Sequence, residues 1–310
     1  MAQPISPRLD IVYDCVIIGG GPAGLTASIF LGRYRRKVLV IDAGEGRNRA
    51  SRGIHGFLGY HEITPAELRA RGRREAEGVG VAFLETRASK LERCGDYFEV
   101  ATDRGTARGR RVLLAYGVRD ELPDLPRFEE FYGRSVFHCP DCDGWEVRDR
   151  RIGVIGHGKR VAALALELLH WSDDITIFTD GEDRSLDAEQ ISKLAAVGIR
   201  IIEDPIEELV GEEGVLEQVR LRSGEGFACD AIFFTLGVDR SCPLAEQAGC
   251  EVIERRPDVK VDEHNQTTVE GIYAAGDITA GSQLAIKAAA DGAIAAIAIN
   301  RSLLPPAQKV

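Results

Sequence analysis

The strongest constraint in this chain is a repeated local design, in which a β-branched run ends in a glycine turn and a helical pattern follows. Asp14 opens D-C-V-I-I-G-G-G-P-A-G and Arg151 opens R-I-G-V-I-G-H-G-K-R-V, so Gly19 and Gly21 recur as Gly156 and Gly158, 137 residues later. Strand, glycine turn and helix in that order form the first half of a βαβ unit of the dinucleotide-binding kind. A repeat at that distance in a chain of 310 residues predicts two such domains. The fold class expected is therefore α/β, with two Rossmann-like dinucleotide-binding domains.

The first unit is complete. Gly19, Gly21 and Gly24 satisfy G-x-G-x-x-G, with Gly20, Pro22 and Ala23 between them. The first glycine permits the tight turn, the second lets backbone approach a pyrophosphate, and the third seats helix against strand. A helix from about Pro22 to Gly32 then aims its N-terminal amides at that pyrophosphate, and proline is tolerated in a first turn that has no use for its N–H. The next strand, Lys37 to Ile41, ends at Asp42, placed to accept hydroxyl hydrogens of an adenosine ribose.

The second unit is altered. Val161 stands where a small residue usually lets helix meet strand, and His157 and Lys159 replace ordinary turn residues. After the strand Ile175 to Phe178 comes Thr179-Asp180-Gly181, with no arginine pair to hold the 2′-phosphate of NADPH. Asp180 is left either to bind an NADH ribose or to cap a turn. NADPH is not expected; NADH stays open.

Near the C-terminus, Gly271 to Ile278 reads as a buried strand ending at Gly276 and Asp277, and Gln283 to Asn300 as an alanine-rich helix whose small residues allow close packing. The seven cysteines are an odd number, and Cys15, Cys94, Cys229, Cys242 and Cys250 are scattered, which is no secreted disulfide framework. Only Cys139 and Cys142 are closely spaced. With no second cysteine pair nearby to complete a zinc tetrahedron, redox chemistry is favoured and no metal is expected. A two-residue gap lets both sulfurs close a small ring at a helix start, where a thiolate is the reacting species. Of the residues flanking this motif, His138 is expected to be structural or solvated rather than an aid to the thiolate, and Trp145 to pack.

The net charge of −10 disfavours nucleic acid. No run approaches the roughly 20 apolar residues of a membrane span, and Met1 to Asp10 lacks a basic-then-apolar leader. These features read as a soluble, cytoplasmic protein.

With these pieces in place, the chain resembles the low-molecular-weight thioredoxin reductase family of flavoproteins over nearly its full length. The matching segments are G-G-G-P-A-G, A-Y-G at Ala115 to Gly117, C-P-D-C-D-G at Cys139 to Gly144, the second glycine turn, and A-A-G-D at Ala274 to Asp277. The resemblance implies three-layer ββα domains. A discontinuous FAD domain covers residues 1–117 and 246–310, and an inserted NAD(P)-type domain covers 118–245 and carries the dithiol. It further implies a homodimer.

Carried over, Gly19 to Gly24 and Asp42 hold the FAD diphosphate and ribose. Gly117 marks the exit from the FAD domain, with Tyr116 in place of the usual threonine. Gly276 and Asp277 face the ribityl or phosphate region, and Gln283 and Leu284 approach the flavin. Asn48 and His55 lie in the loop that runs along it, and Ala88 contacts adenine through its backbone. Cys139 and Cys142 are the redox pair, with Cys142 the flavin-side sulfur, and Asp143 is the acid–base that protonates the leaving thiolate.

The segment H-C-P-D-C-D-G-W-E-V from His138 to Val147 is also similar to dithiol oxidases that close disulfides in small natural products, although that group tends to carry histidine at the place of Asp143. Other relatives of this fold draw electrons from a ferredoxin-like donor. The expected activity is an FAD-dependent disulfide oxidoreductase acting on a thioredoxin-like protein or a small dithiol, without NADPH. A dithiol oxidase delivering electrons to oxygen is the alternative enzyme, and a non-catalytic FAD-holding redox sensor the alternative of another class.

Overall fold

A computed structural model describes residues 5–182, 185–253 and 258–308. In chain order the elements are β1 (Val12–Ile18), α1 (Pro22–Arg33), β2 (Val38–Asp42), α2 (Pro65–Gly78), β3 (Ala82–Glu85), β4 (Ala88–Cys94), β5 (Tyr97–Thr102), β6 (Gly105–Leu114) and β7 (Val118–Asp120). There follow α3 (Phe128–Phe131), β8 (Val136–Phe137), α4 (Pro140–Asp143), β9 (Ile152–Ile155), α5 (Gly158–Leu168), β10 (Ile175–Phe178), α6 (Ala188–Ala196), β11 (Arg200–Ile202), β12 (Ile206–Glu212), β13 (Val215–Leu221), β14 (Gly226–Ala228) and β15 (Ala231–Phe234). The chain ends with β16 (Val238–Arg240), α7 (Leu244–Gln247), β17 (Ile272–Ala274) and α8 (Ala285–Ser302).

Two compact units result. The first comprises the described residues of Met1–Arg49, Gly56–Arg119 and Val238–Val310, the second Ala50–His55 and Asp120–Gly237. In the first, β3, β2, β1, β6 and β17 lie in parallel, and β6 continues into an antiparallel meander with β5 and β4. The ten residues of β6 allow this: Gly105–Gly109 pair with β5, while Val112–Leu114 pair with β17. Side chains alternate across the strands. Cys15, Ile17 and Leu113 meet the small residues of α1 and α8 (Ala23, Ala27, Ala295, Ala296), whereas Val16, Ile18 and Leu114 meet the meander residues Leu91, Phe98 and Val100. Both sheet faces are covered, which is why β1 and β2 are nearly all apolar.

The second unit repeats the plan. Strands β11, β10, β9, β15 and β8 are parallel, and β12–β13–β14 form the antiparallel layer. Ile152, Val154, Ile175 and Ile177 pack with Val161, Ala165 and Leu168 of α5, while Ile155, Phe178 and Ile232 pack with Leu209 and Val219 of the meander. The expected α/β class with two three-layer ββα domains is what the chain adopts.

The unit limits differ from the expected insertion at 118–245 in three places, of which the smallest is that Val118 and Arg119 group with the first unit. Residues 238–245 group with the first unit, because β16 pairs with β7 and Leu244 and Ala245 bury in the first unit's core. The short segment Ala50–His55 groups with the second. Among the described residues, no helix is long and apolar enough to cross a membrane.

Candidate active site: a dithiol and a glycine turn

In the second unit, Cys139 and Cys142 form a disulfide with their Cα atoms 5.3 Å apart. The ring is closed by local backbone bonds. Asp143 N–H donates to the Cys139 carbonyl (3.2 Å) and Gly144 N–H to that of Pro140 (2.8 Å). Pro140 sits at the first helical position, where its missing N–H costs nothing. Gly144 is dictated by space: a Cβ there would lie 2.7 Å from both the Pro140 carbonyl oxygen and the Trp171 ring. The sequence motif therefore ends in glycine because backbone and indole close over it.

Asp143 is half-buried, and among the described residues its carboxylate accepts no hydrogen bond. Burial, aided by the charge of Glu146, pushes its pKa up to about 7. A carboxyl group that is neutral up to that pH can deliver a proton near neutrality. Glu146 is itself faced by His55, whose Nδ1 stands 3.4 Å from its Oε1.

The expectation that Trp145 packs is not met. It is 63% exposed, with the Arg148 guanidinium 4.1 Å from its ring centroid. Cys15 and Cys229 are fully buried in apolar surroundings that raise their pKa values, Cys229 to about 12, so they stay protonated.

In the first unit, the glycine turn forms as its sequence dictates. Gly19 has φ +112°, and a Cβ on Gly24 would overlap the Gly19 carbonyl oxygen, so neither position takes a side chain without strain. Gly20 N–H donates to Asp42 Oδ1 at 3.1 Å, which ties the acid at the end of β2 to the turn. Thr86 N–H donates to the Asp42 carbonyl at 3.1 Å, and Ala88 opens β4 two residues on.

Helix α1 starts with Gly21 as N-cap, Pro22 in its first turn, no capping side chain, and no atom within 4 Å of where a Gly21 Cβ would lie. Uncapped amides beside open space, at the positive end of a twelve-residue helix, fit a diphosphate. The residues present thus suit the FAD that this fold family carries.

The C-terminal contribution is organised by a residue the sequence did not single out. Arg47 Nη1 lies 3.1 Å from Asp277 Oδ2 and 2.8 Å from Gln283 Oε1, joining the end of β17, the start of α8 and the loop after β2. Asn48 is its neighbour in that turn. Asp291 of α8 was missed too. Its Oδ2 accepts from Gly276 N–H (3.2 Å) and from Lys287 Nζ (2.8 Å), holding the Gly276 turn.

Leu284 is the N-cap of α8, and Gly117 (φ +68°) accepts Ser241 Oγ–H at 3.1 Å. His55 belongs to the second unit, where it faces Glu146. No local signal marks Arg47 or Asp291, since their partners are distant in sequence or lie a helical turn away.

The second glycine turn keeps its backbone, with Gly156 at φ +150° and Gly158 at φ +67°. Val161 is fully buried in the α5 core, at the position where the first turn has Gly24. Asp180 Oδ1 accepts Ile206 N–H at 2.7 Å, so the carboxylate caps the start of β12.

Comparison with known proteins agrees with this geometry. The pyridine nucleotide-disulphide oxidoreductase family model matches residues 13–292. Thioredoxin reductase tcpT of Claviceps purpurea is 32% identical over 287 residues, 86% of each chain. A further fungal relative, from Arthroderma benhamiae, is 36% identical over 183 residues, 56% of this chain and 45% of its own length. Among solved structures, one assigned to a thioredoxin reductase TrxB of Bacillus anthracis superposes with a TM-score of 0.88 at 34% identity, covering 94% of this chain and 98% of that one. The chain is an enzyme of the pyridine nucleotide-disulphide oxidoreductase family, a flavin disulfide oxidoreductase of the thioredoxin reductase type.

Proposed function

We propose that Cys139 and Cys142 pass electrons between a flavin held at the Gly19–Gly24 turn and the dithiol or disulfide of a thioredoxin-like protein, and that NADPH is not the electron source. The observation that carries the reading is the disulfide followed at once by a half-buried Asp143 whose pKa burial raises to about 7, in a chain whose first glycine turn is intact. Bound FAD supplies two-electron redox chemistry. The protein's residues do the rest.

Gly19 to Gly24 and Asp42 bind the diphosphate and ribose. Gly276, Asp277, Gln283 and Leu284 line the ribityl side, steadied by Arg47. Asn48, His55, Gly117 and Ala88 belong to the periphery of the same site, and His55 also faces Glu146. Cys139 attacks the partner disulfide and Cys142 resolves the mixed disulfide. Asp143 Oδ protonates the thiolate that leaves. The assembly proposed is a homodimer.

The absence of NADPH chemistry is supported by the second turn. Val161 occupies the place of the third glycine, and Asp180 Oδ1 accepts Ile206 N–H. The deciding experiment mixes the anaerobic holoprotein with NADPH, NADH or a reduced dithiol in a stopped-flow spectrometer. Bleaching of the flavin band by the dithiol alone is expected, and rapid bleaching by NADPH overturns the reading. Aerobic turnover that yields one peroxide per disulfide identifies the dithiol oxidase. Cysteine-dependent partner binding without turnover by any donor identifies the redox sensor.

A further inference from the structure

The charge of this chain is not shared evenly between its two units. Over its chain ranges the second unit carries 13 lysines and arginines against 26 aspartates and glutamates, a net charge of −13. The first carries 26 against 23, a net charge of +3, and together they make the −10 of the whole. The unit that holds the disulfide is therefore the acidic one. Between Glu203 and Glu217 alone there are seven acids and no lysine or arginine, and Glu207, Glu212 and Glu217 are exposed. Like charges gathered on one body repel and oppose its compact state, so folding gives no account of the excess.

The same sign prevails beside the disulfide. Asp141, Glu146 and Asp149 are exposed within ten positions of Cys139. Of the arginines that follow, Arg148 donates to the Trp145 carbonyl at 2.7 Å and lies over the Trp145 ring, and Arg151 pairs with Asp230 at 2.6 Å. Trp145 stands three residues beyond Cys142 and is 63% exposed. A large aromatic left open next to a reactive disulfide is the kind of anchor on which protein contacts concentrate their binding energy. An acidic field around it speeds encounter with a basic surface and repels an acidic one.

We propose that the dithiol unit is a docking surface for a disulfide protein whose own contact face is basic, with Trp145 as the apolar contact and the acidic field of the unit as guide and filter. The inference rests on the dithiol-exchange reading above and narrows its partner. An acidic partner is turned away, and a small neutral dithiol gains nothing from the field.

The test uses the holoprotein in its dithiol form, anaerobic and freed of reductant, and three synthetic peptides. Each peptide holds one Cys-Ser-Gly-Cys disulfide, flanked on both sides by three lysines, three serines or three glutamates. In the reaction followed, the peptide S–S bond opens as the Cys139–Cys142 bond closes, and two electrons and two protons pass to the peptide. Peptide thiols are trapped by alkylation and counted by mass spectrometry. Every rate is divided by that of dithiothreitol with the same peptide, which removes the intrinsic reactivity of each disulfide.

At 10 mM NaCl the Debye length is about 30 Å, and at 1 M it is about 3 Å. At low salt the lysine peptide is expected to react roughly tenfold faster than the serine peptide, and the glutamate peptide roughly tenfold slower. At 1 M the three rates converge to within about twofold. In Asp141→Asn the low-salt spread narrows, and because all three peptides meet the same thiolate, any change in its pKa cancels from the ratios. Equal rates at low salt, a faster glutamate peptide, or a spread that persists at 1 M overturns the proposal. Failure of all three peptides to react, the neutral one included, would instead sink the exchange reading itself.

Discussion

Asp143→Asn separates the energetic role of the buried carboxyl from its chemical one. With the folded pKa raised from 3.8 to about 7 by burial and Glu146, the native protein binds the proton more tightly than the unfolded chain does. The folded state is therefore favoured at low pH, and that advantage is lost as pH rises from about 4 through about 7. The interval is worth on the order of 4 kcal/mol, and partial solvent access reduces it to roughly 2 kcal/mol.

An amide of the same shape does not ionise, so the variant gains about that amount at pH 8 and almost nothing at pH 4. For a unit of this size 2 kcal/mol is about 4–8 °C in Tm. The assay is a thermal melt of oxidised holoprotein at pH 4.5, 6, 7 and 8, on wild type and variant, read on the transition of the dithiol unit. The variant is expected to flatten the decline with pH. In parallel, its dithiol exchange at pH 7 falls about 100-fold, because no proton donor meets the leaving thiolate. Parallel melting curves, with no convergence at low pH, would falsify the burial argument.

Three further outcomes follow from the geometry. Gly24→Ala drives a methyl into the Gly19 carbonyl oxygen, and the purified protein should lose most of its flavin absorbance relative to protein absorbance. A yellow Gly24→Ala protein counts against a close turn. Arg47→Ala leaves the Asp277 carboxylate and Gln283 without their shared donor, and a severalfold weaker FAD affinity on titration of the deflavinated protein is expected. Asp180→Ala removes the acceptor of Ile206 N–H. The expected cost is about 1 kcal/mol in stability, read as a lower melting temperature of the second unit; an unchanged melting temperature counts against the capping role.

The parts legible in the sequence are those whose physics is local. A glycine turn is written in consecutive residues because backbone sterics at Gly19 and Gly24 decide it, and strand, turn, helix and acid appear in chain order up to Asp42. The four-residue dithiol ring is equally local, and so is Gly144 after it. The repeat at Gly156 and Gly158 announced a second domain of the same layered plan, since each unit must cover both faces of an apolar parallel sheet.

What the tertiary structure alone decided depends on partners far apart in the chain. Arg47 meets Asp277 and Gln283 only because β17 returns beside β6. Asp180 spends its carboxylate on Ile206, a residue whose position no pattern around Thr179 discloses. His55 acquires Glu146 as a neighbour, and His138 acquires Asp120 and Tyr132. Side-chain hydrogen bonds and desolvation are set by what packing brings within about 3 Å. Residue order constrains that only through the backbone, so the turns and the dithiol could be read in advance and the charges that tune them could not.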